Sequence, residues 1–263
     1  MTTITKRQEK ILDLLKHEGG KLSVIALSEK LGVSSVTIRK DLRMLAEDHT
    51  VERFYGGAVL HSITSRTAEL SFEARLREAA TAKQGIARYA AQFVKDGYGI
   101  ALDGSTTVYA MLPYLKPMRN LTIVTNSLMI AESFRDACYS KVLVPGGRIR
   151  AESATIVGVT SALPDLNLNY GFFSAWGLSI VAGASDVDPD EVQMRQSMIE
   201  RCLQLVLLLD GRKWGEVAPY TFAHIKHLDR VITSDDAPSI WIDQLRNMGI
   251  AVDVVPISAR SKS

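Results

Sequence analysis

The chain has 263 residues, 46% of them hydrophobic and 23% charged, with 31 basic against 29 acidic side chains and a formal net charge of +2. That length allows one large core or a small domain beside a medium one, and the near-balanced charge excludes a uniformly cationic field, so any affinity for nucleic acid is local. The polar N-terminus lacks an apolar signal core and the longest apolar runs, such as 203–209, are too short to span a bilayer; with two distant cysteines, Cys138 and Cys202, the chain reads as reduced and cytoplasmic, with no membrane partner.

In chain order, Ile11, Leu12, Leu14 and Leu15 recur at helical spacing among charged residues over 4–17, and Gly19-Gly20 stops that helix. Ser23 caps a short second helix carrying Ile25, Leu27 and Leu31, which Gly32 interrupts. The third helix starts at Ser34-Ser35 and puts Ile38, Leu42 and Leu45 on its inner face. Residues 50–60 read as two short strands about a glycine turn, a wing. The polar, aperiodic stretch 61–71 reads as a linker, and a helix over 72–95 ends at Asp96-Gly97. Beyond it, apolar runs at 98–102, 121–125, 141–144, 171–175, 205–209, 230–233 and 251–255 alternate with helix-length segments, with a crossover between 144 and 171. This predicts an α/β fold, its sheet mostly parallel and covered by helices on both faces. The division is 1–60, a winged helix-turn-helix; 61–71, a linker; and 72–263, an α/β domain.

A helix fits the major groove of B-DNA when a preceding helix and a wing brace it on the backbone. Ser34, Ser35 and Thr37 supply short hydroxyls at the start of the third helix, Arg39, Lys40 and Arg43 supply cationic reach, and Arg53 beside the wing's turn can meet a phosphate or the minor groove. Taken singly these are an N-cap and a solvated basic face. Helix, glycine turn, basic helix and wing in that order point to double-stranded operator DNA as the partner. The run Ala26-Leu27-Ser28-Glu29-Lys30-Leu31-Gly32-Val33-Ser34-Ser35-Val36-Thr37-Ile38-Arg39-Lys40-Asp41-Leu42, followed by Arg53-Phe54-Tyr55-Gly56-Gly57-Ala58, resembles the DeoR family of bacterial regulators. The resemblance implies a DNA-binding domain over 3–58, a metabolite sensor in the rest, and repression of a sugar-catabolism operon. Where that family carries two arginines before the aspartate, this chain has Arg39-Lys40, which keeps the charge and loses one guanidinium fork.

Asp103-Gly104-Ser105-Thr106-Thr107 follows a strand and precedes a helix, where an open α/β sheet presents loops at the carboxyl ends of its strands. Gly104 admits close backbone approach, the three hydroxyls donate, and a helix N-terminus favours an anion; a capped helix with ordinary turn residues reads the same way. Thr125-Asn126-Ser127 and Asp210-Gly211-Arg212-Lys213-Trp214-Gly215 end two further strands, which parallel pairing brings to the same edge. There Lys213 or Arg212 can face a phosphate, and Asn126 and Asp103 sugar hydroxyls, although by spacing Lys213 is equally a solvated turn lysine. These loops and Gly146-Gly147 are similar to the sensor domain of the same family, which shares its fold with ribose-5-phosphate isomerase. The resemblance implies a small phosphorylated sugar effector, bound without turnover by Asp103, Gly104, Ser105, Thr106, Thr107, Thr125, Asn126 and Lys213.

The chain departs from that family at Ser174-Ala175-Trp176-Gly177-Leu178-Ser179, which carries no carboxylate, and at Arg195 after Glu191, where a lysine is usual. An isomerase needs a base near the substrate carbon, so no catalytic residue is expected. Trp176 is expected to pack within the domain or at a subunit contact, with narrowing of the pocket or stacking on a sugar face the alternative. Asp186, Asp188, Asp190 and Glu191 lack the pattern of a calcium loop and read as a solvated helix-start cluster. His224 and His227 have no neighbouring Cys or His to complete a zinc site, so neither metal nor cofactor is expected. One small winged helix makes too few DNA contacts for tight specific binding, which predicts a homodimer or homotetramer on a repeated or palindromic operator. Two rival readings stay open: a sugar-phosphate isomerase or deaminase with an appended domain, and a DNA binder whose α/β domain only oligomerises.

Overall fold

The computed structural model describes residues 5–18, 21–47, 51–54, 56–60, 72–137, 139–158 and 163–257. Helix α1 (Lys6–His17) opens with a capping box in which the Thr5 hydroxyl accepts from the Gln8 amide while the Gln8 side chain accepts from the Thr5 amide. The helix start expected at Ile4, its glycine stop at Gly19-Gly20 and the linker over 61–71 lie outside the described residues. Helix α2 (Val24–Leu31) is capped by Ser23, which accepts from the Ala26 amide at 3.0 Å, and ends at Gly32 with φ +64°. Ser34 caps α3 (Ser35–Glu47) by accepting from the Thr37 amide at 3.2 Å. Ile11, Leu15, Leu27, Ile38, Leu42 and Leu45 meet in one buried cluster. The wing is β2 (Val51–Phe54) paired antiparallel with β3 (Gly57–Leu60). A third strand, β1 (Lys21–Ser23), pairs with the other edge of β3; three residues are too few to show alternation in the sequence.

The single helix expected over 72–95 is broken. Helices α4 (Phe72–Arg77) and α5 (Ala80–Ala90) are separated by Ala79 in the left-handed region, φ +47°, and a 3-10 turn, Ala91–Phe93, follows. The buried Lys83 ammonium explains the break, because it donates to the Arg75 carbonyl, which the interruption leaves without its helical donor, and to Thr106 Oγ1 at 2.9 Å. No glycine or proline marks this site in the sequence.

Strands β4 (Gly99–Leu102), β5 (Thr122–Thr125), β6 (Lys141–Leu143), β9 (Tyr170–Phe173), β12 (Leu205–Leu209), β14 (Arg230–Ser234) and β15 (Ala251–Val255) form a parallel sheet in the order β15-β14-β12-β9-β4-β5-β6. The crossover contains an antiparallel hairpin, β7 (Gly147–Arg150) and β8 (Thr155–Gly158). A second small sheet joins β10 (Gly177–Ser179), β11 (Gly183–Asp186) and β13 (Tyr220–Ala223). Adjacent residues of a strand point to opposite faces, so Phe172 and Phe173 belong to different cores. On one face Phe172 and Leu102 pack with residues of α5, α6 (Thr106–Tyr109), α7 (Leu112–Leu115) and α8 (Leu128–Ser133). On the other, Phe173 and Leu207 pack under α9 (Pro189–Ile199), α10 (Ser239–Asn247) and the small sheet. Among the described residues, no helix is long and apolar enough to cross a membrane.

Candidate functional site

Parallel pairing brings the carboxyl ends of β5, β4, β9 and β12 to one edge. Asp103, directly after β4, is fully buried there; one oxygen accepts from the Ser105 amide and the other from the Ser174 amide, both at 3.0 Å, with Arg195 Nε 3.4 Å away. This carboxylate ties two strand ends and a helix together. A Cβ on Gly104 would stand 2.3 Å from Thr155 Cγ2, so only glycine lets the β7–β8 hairpin close against the loop. Ser105 caps α6 by accepting from the Val108 amide at 3.2 Å. Between loop, hairpin and α9 lies a cavity of about 100 Å³, with room for several waters or one small polar ligand.

The cavity wall is densely charged. Burial pushes the Asp186 carboxyl up, but its ion pair with Arg195, the Val187 amide and nearby Lys213 overcome that and hold it below the ordinary value. Glu191, 4% exposed, accepts from the Ser153 hydroxyl at 2.8 Å and from the Thr155 hydroxyl, and lies 3.8 Å from Arg150 Nη1. Arg150 also pairs with Asp188 at 3.2 Å, and Arg212 with Asp210 at 3.0 Å, outside the cavity lining. Arg75 and Lys213 differ from these cations: among the described residues neither has a carboxylate within ion-pair distance. Lys213 Nζ donates to the Ala175 carbonyl at 2.5 Å and the Ser174 hydroxyl at 3.4 Å. Burial pulls the pKa of each below its ordinary value; Arg195 lowers both further, and Arg75 itself lowers Lys213, against the pull of Asp210 and Asp186.

Of the residues expected from the sequence, Gly104, Ser105 and Lys213 line the cavity and Asp103 braces its wall. Thr106, Thr107, Thr125 and Asn126 stand outside the lining. Thr106 accepts from Lys83, Thr125 Oγ1 from the Ser127 amide at 3.1 Å, and Thr107 is buried. Asn126 Nδ2 reaches the Ile156 carbonyl and Glu191 Oε2, both at 3.4 Å, while its Oδ1 is buried with no hydrogen-bond partner among the described residues. The sequence reading missed Arg75, Arg150 and Ser153, and it mistook the acidic cluster. Asp186 and Glu191 line the cavity instead of facing solvent, and Asp188 caps α9 through the Asp190 and Glu191 amides at 3.0 and 2.9 Å. Asp190 pairs with Arg148 from the hairpin. Trp176, expected in the packing or at a subunit contact, lines the cavity.

On the N-terminal head, Arg39, Lys40 and Arg43 lie exposed along α3 together with Val36, while Ile38, Asp41, Leu42 and Leu45 turn inward. The Ser34 and Thr37 hydroxyls bond each other at 2.9 Å at the helix start, Ser35 is half-buried, and Arg53 lies on β2. Asp41 is buried and receives a fork from Arg7 of α1, Nε to Oδ2 at 2.5 Å and Nη2 to Oδ1 at 3.1 Å, which fixes α3 on its support.

Residues 7–64 match the DeoR-like helix-turn-helix domain, and residues 78–235 match the DeoR C terminal sensor domain. The chain is 31% identical to the uncharacterized HTH-type transcriptional regulator YulB of Bacillus subtilis (strain 168), over 98% of this chain and 99% of that one. It is 30% identical to the glycerol-3-phosphate regulon repressor of Escherichia coli (strain K12), over 89% of this chain and 91% of that one. Among solved structures, ribose 5-phosphate isomerase from Plasmodium falciparum is similar with a TM-score of 0.39 and 10% identity, over 52% of this chain and 53% of that one.

Proposed function

Because the chain belongs to the DeoR family of DNA-binding transcriptional regulators, we propose that it represses a carbohydrate-catabolism operon as a symmetric oligomer, and that a small phosphorylated sugar or polyol filling the cavity releases it from the operator. The observation that carries this effector class is the pair Arg75 and Lys213, two cavity-lining cations that lack carboxylate partners among the described residues. A phosphate that reaches both supplies each with a direct ion-pair partner and several charge-assisted hydrogen bonds. Ser105, Ser174 and Ser153 offer the hydroxyl-rich surround that a polyol needs. The glycerol-3-phosphate regulon repressor of Escherichia coli regulates genes for a compound of this kind, which supports the same class here. Asp103, Asp186 and Glu191 are all engaged in hydrogen bonds or ion pairs, an arrangement that suits binding better than proton abstraction. Ser34, Ser35, Thr37, Arg39, Lys40, Arg43 and Arg53 form the proposed DNA contacts.

The test uses full-length protein on a fluorescent duplex selected from the promoter DNA around its own gene. Glycerol 3-phosphate, ribose 5-phosphate and other sugar phosphates are titrated beside their dephosphorylated counterparts. Release by a phosphorylated compound and not by its counterpart supports the proposal. Release by none, with DNA binding intact, favours the reading in which the α/β domain only oligomerises.

A further inference from the structure

The exposed face of α3 carries one residue that the cationic reading of this helix does not use. Val36 is 71% exposed, although it sits one turn before Arg39 and Lys40 and two before Arg43, on the face these cations share. Among the described residues of the head, the exposed large hydrophobic side chains are Val36 and Ile25 at 68%, each in the first turn of its helix, α3 and α2.

We infer that Val36 is a specificity-determining residue that reads the 5-methyl group of a thymine in the major groove. The inference rests on α3 being the DNA-reading helix. In a helix-turn-helix the N-terminal residues of the second helix approach base edges, while cations further along and the first helix hold the backbone. Val36 occupies that N-terminal position and has no hydrogen-bonding atom in its side chain. The edges of guanine, adenine and cytosine offer donors and acceptors in the major groove, and thymine alone adds a methyl group. A valine set against the first three strips water from polar groups and replaces nothing; against thymine it buries two apolar surfaces at once. A β-branched side chain in a helix holds a strongly preferred rotamer, so its methyls stand in a fixed place and little entropy is lost in the contact. The hydroxyls of Ser34 and Thr37 in this turn are bonded to each other at 2.9 Å, and Ser35 is half-buried, whereas Val36 stands exposed.

The test starts from duplexes recovered by the full-length protein from a random-sequence library. Each thymine of the recovered site is replaced in turn by deoxyuracil, which differs by that methyl alone, and affinities are measured for wild type, Val36→Ala and Val36→Thr. The expected result is one thymine per half-site at which uracil weakens wild-type binding about fourfold, equivalent to ~0.8 kcal/mol for one buried methyl-sized group. Val36→Ala, which loses the contact in both half-sites, binds the parent duplex about fourfold more weakly per half-site, about 15-fold in all, and is indifferent to uracil at that position, and Val36→Thr, which keeps one methyl, falls between. An Ala variant with the same uracil profile as wild type overturns the inference while leaving α3 as the reading helix. If exchanging Arg39 and Lys40 for Ala also leaves binding unchanged, the reading of α3 itself has failed and the inference falls with it.

Discussion

Lys213→Met removes a charge and keeps the length of the side chain, so it isolates the electrostatic part of the proposed effector site. In the structure the ammonium has a carbonyl and a hydroxyl for partners and burial already depresses its pKa. Taking away one charge-assisted hydrogen bond to a bound phosphate costs about 1.5–3 kcal/mol, a roughly 10- to 150-fold weaker Kd. The assay is thermal unfolding with and without effector. At a ligand concentration about 100 times the wild-type Kd, binding stabilises by ~2.7 kcal/mol, and the same concentration should stabilise the variant by only about 0.3–1.4 kcal/mol. The ligand-free variant should melt within ~4 °C of wild type, since a cation opposed by burial adds little to stability. Unchanged effector affinity, or a ligand-free melting temperature lower by about 10 °C, would show Lys213 to be a structural lysine and remove the argument for a phosphate.

Replacing Arg39 and Lys40 together by Ala should weaken operator binding and lower the slope of log affinity against log salt by about one for each phosphate no longer neutralised, read from anisotropy titrations at several salt concentrations. Asp41→Asn should destabilise the head, by less than the loss of a fully buried pair because Arg7 is 43% exposed; an unchanged denaturant midpoint would deny the fork its role. Lys83 is pulled down to about 8, chiefly by burial, with Lys213 adding to the effect. The unfolded chain therefore holds this proton more tightly, and stability should rise with pH between about 8 and the ordinary 10.5. Lys83→Met should remove the Lys83 share of that rise and leave the share of Lys213, whose pKa is also lowered, measured as the difference between the two proteins' urea midpoints across the interval.

The head and the sheet were legible because their signals are local. Ser23, Gly32 and Ser34 mark helix ends by their own chemistry, and 205–209 and 251–255 are apolar runs that became β12 and β15 with the bounds expected. The loops at the carboxyl edge were legible as a set because parallel strands share a direction. What stayed hidden depends on partners far away in sequence. Asp186 and Glu191 look like solvated helix-start acids until Arg195, Ser153 and Thr155 close on them, and burial then reverses their character. Asp41 in a basic helix gave a signal that could have been used: it falls next to Leu42 on the inward side, where a charge needs a partner, and Arg7 is that partner. Nothing in 77–80 announces the break between α4 and α5, since its cause is a lysine side chain returning to a carbonyl eight residues earlier.

That break bears on how, under the proposed function, a ligand in the cavity would act on the operator. Arg75 comes from α4, the first described element after 61–71, whereas Ser105, Ser153, Ser174, Glu191 and Lys213 come from the sheet edge, the hairpin and α9. A helix of six residues has little stability alone; α4 is held by the Phe72 ring edge-on against Tyr109, centroids 5.2 Å apart, and by the bond from Lys83 to the Arg75 carbonyl. Under the proposed function, an effector that grips Arg75 acts on α4, and it shifts DNA binding only by its preference for one arrangement of the protein. Phe72→Ala should loosen this linkage. The variant is expected to retain a Lys213-dependent thermal shift with effector, yet to need at least about tenfold more effector for operator release, a coupling loss of ~1.4 kcal/mol. If release tracks occupancy as in wild type, α4 is not the route, and the signal passes through the hairpin or an oligomer contact.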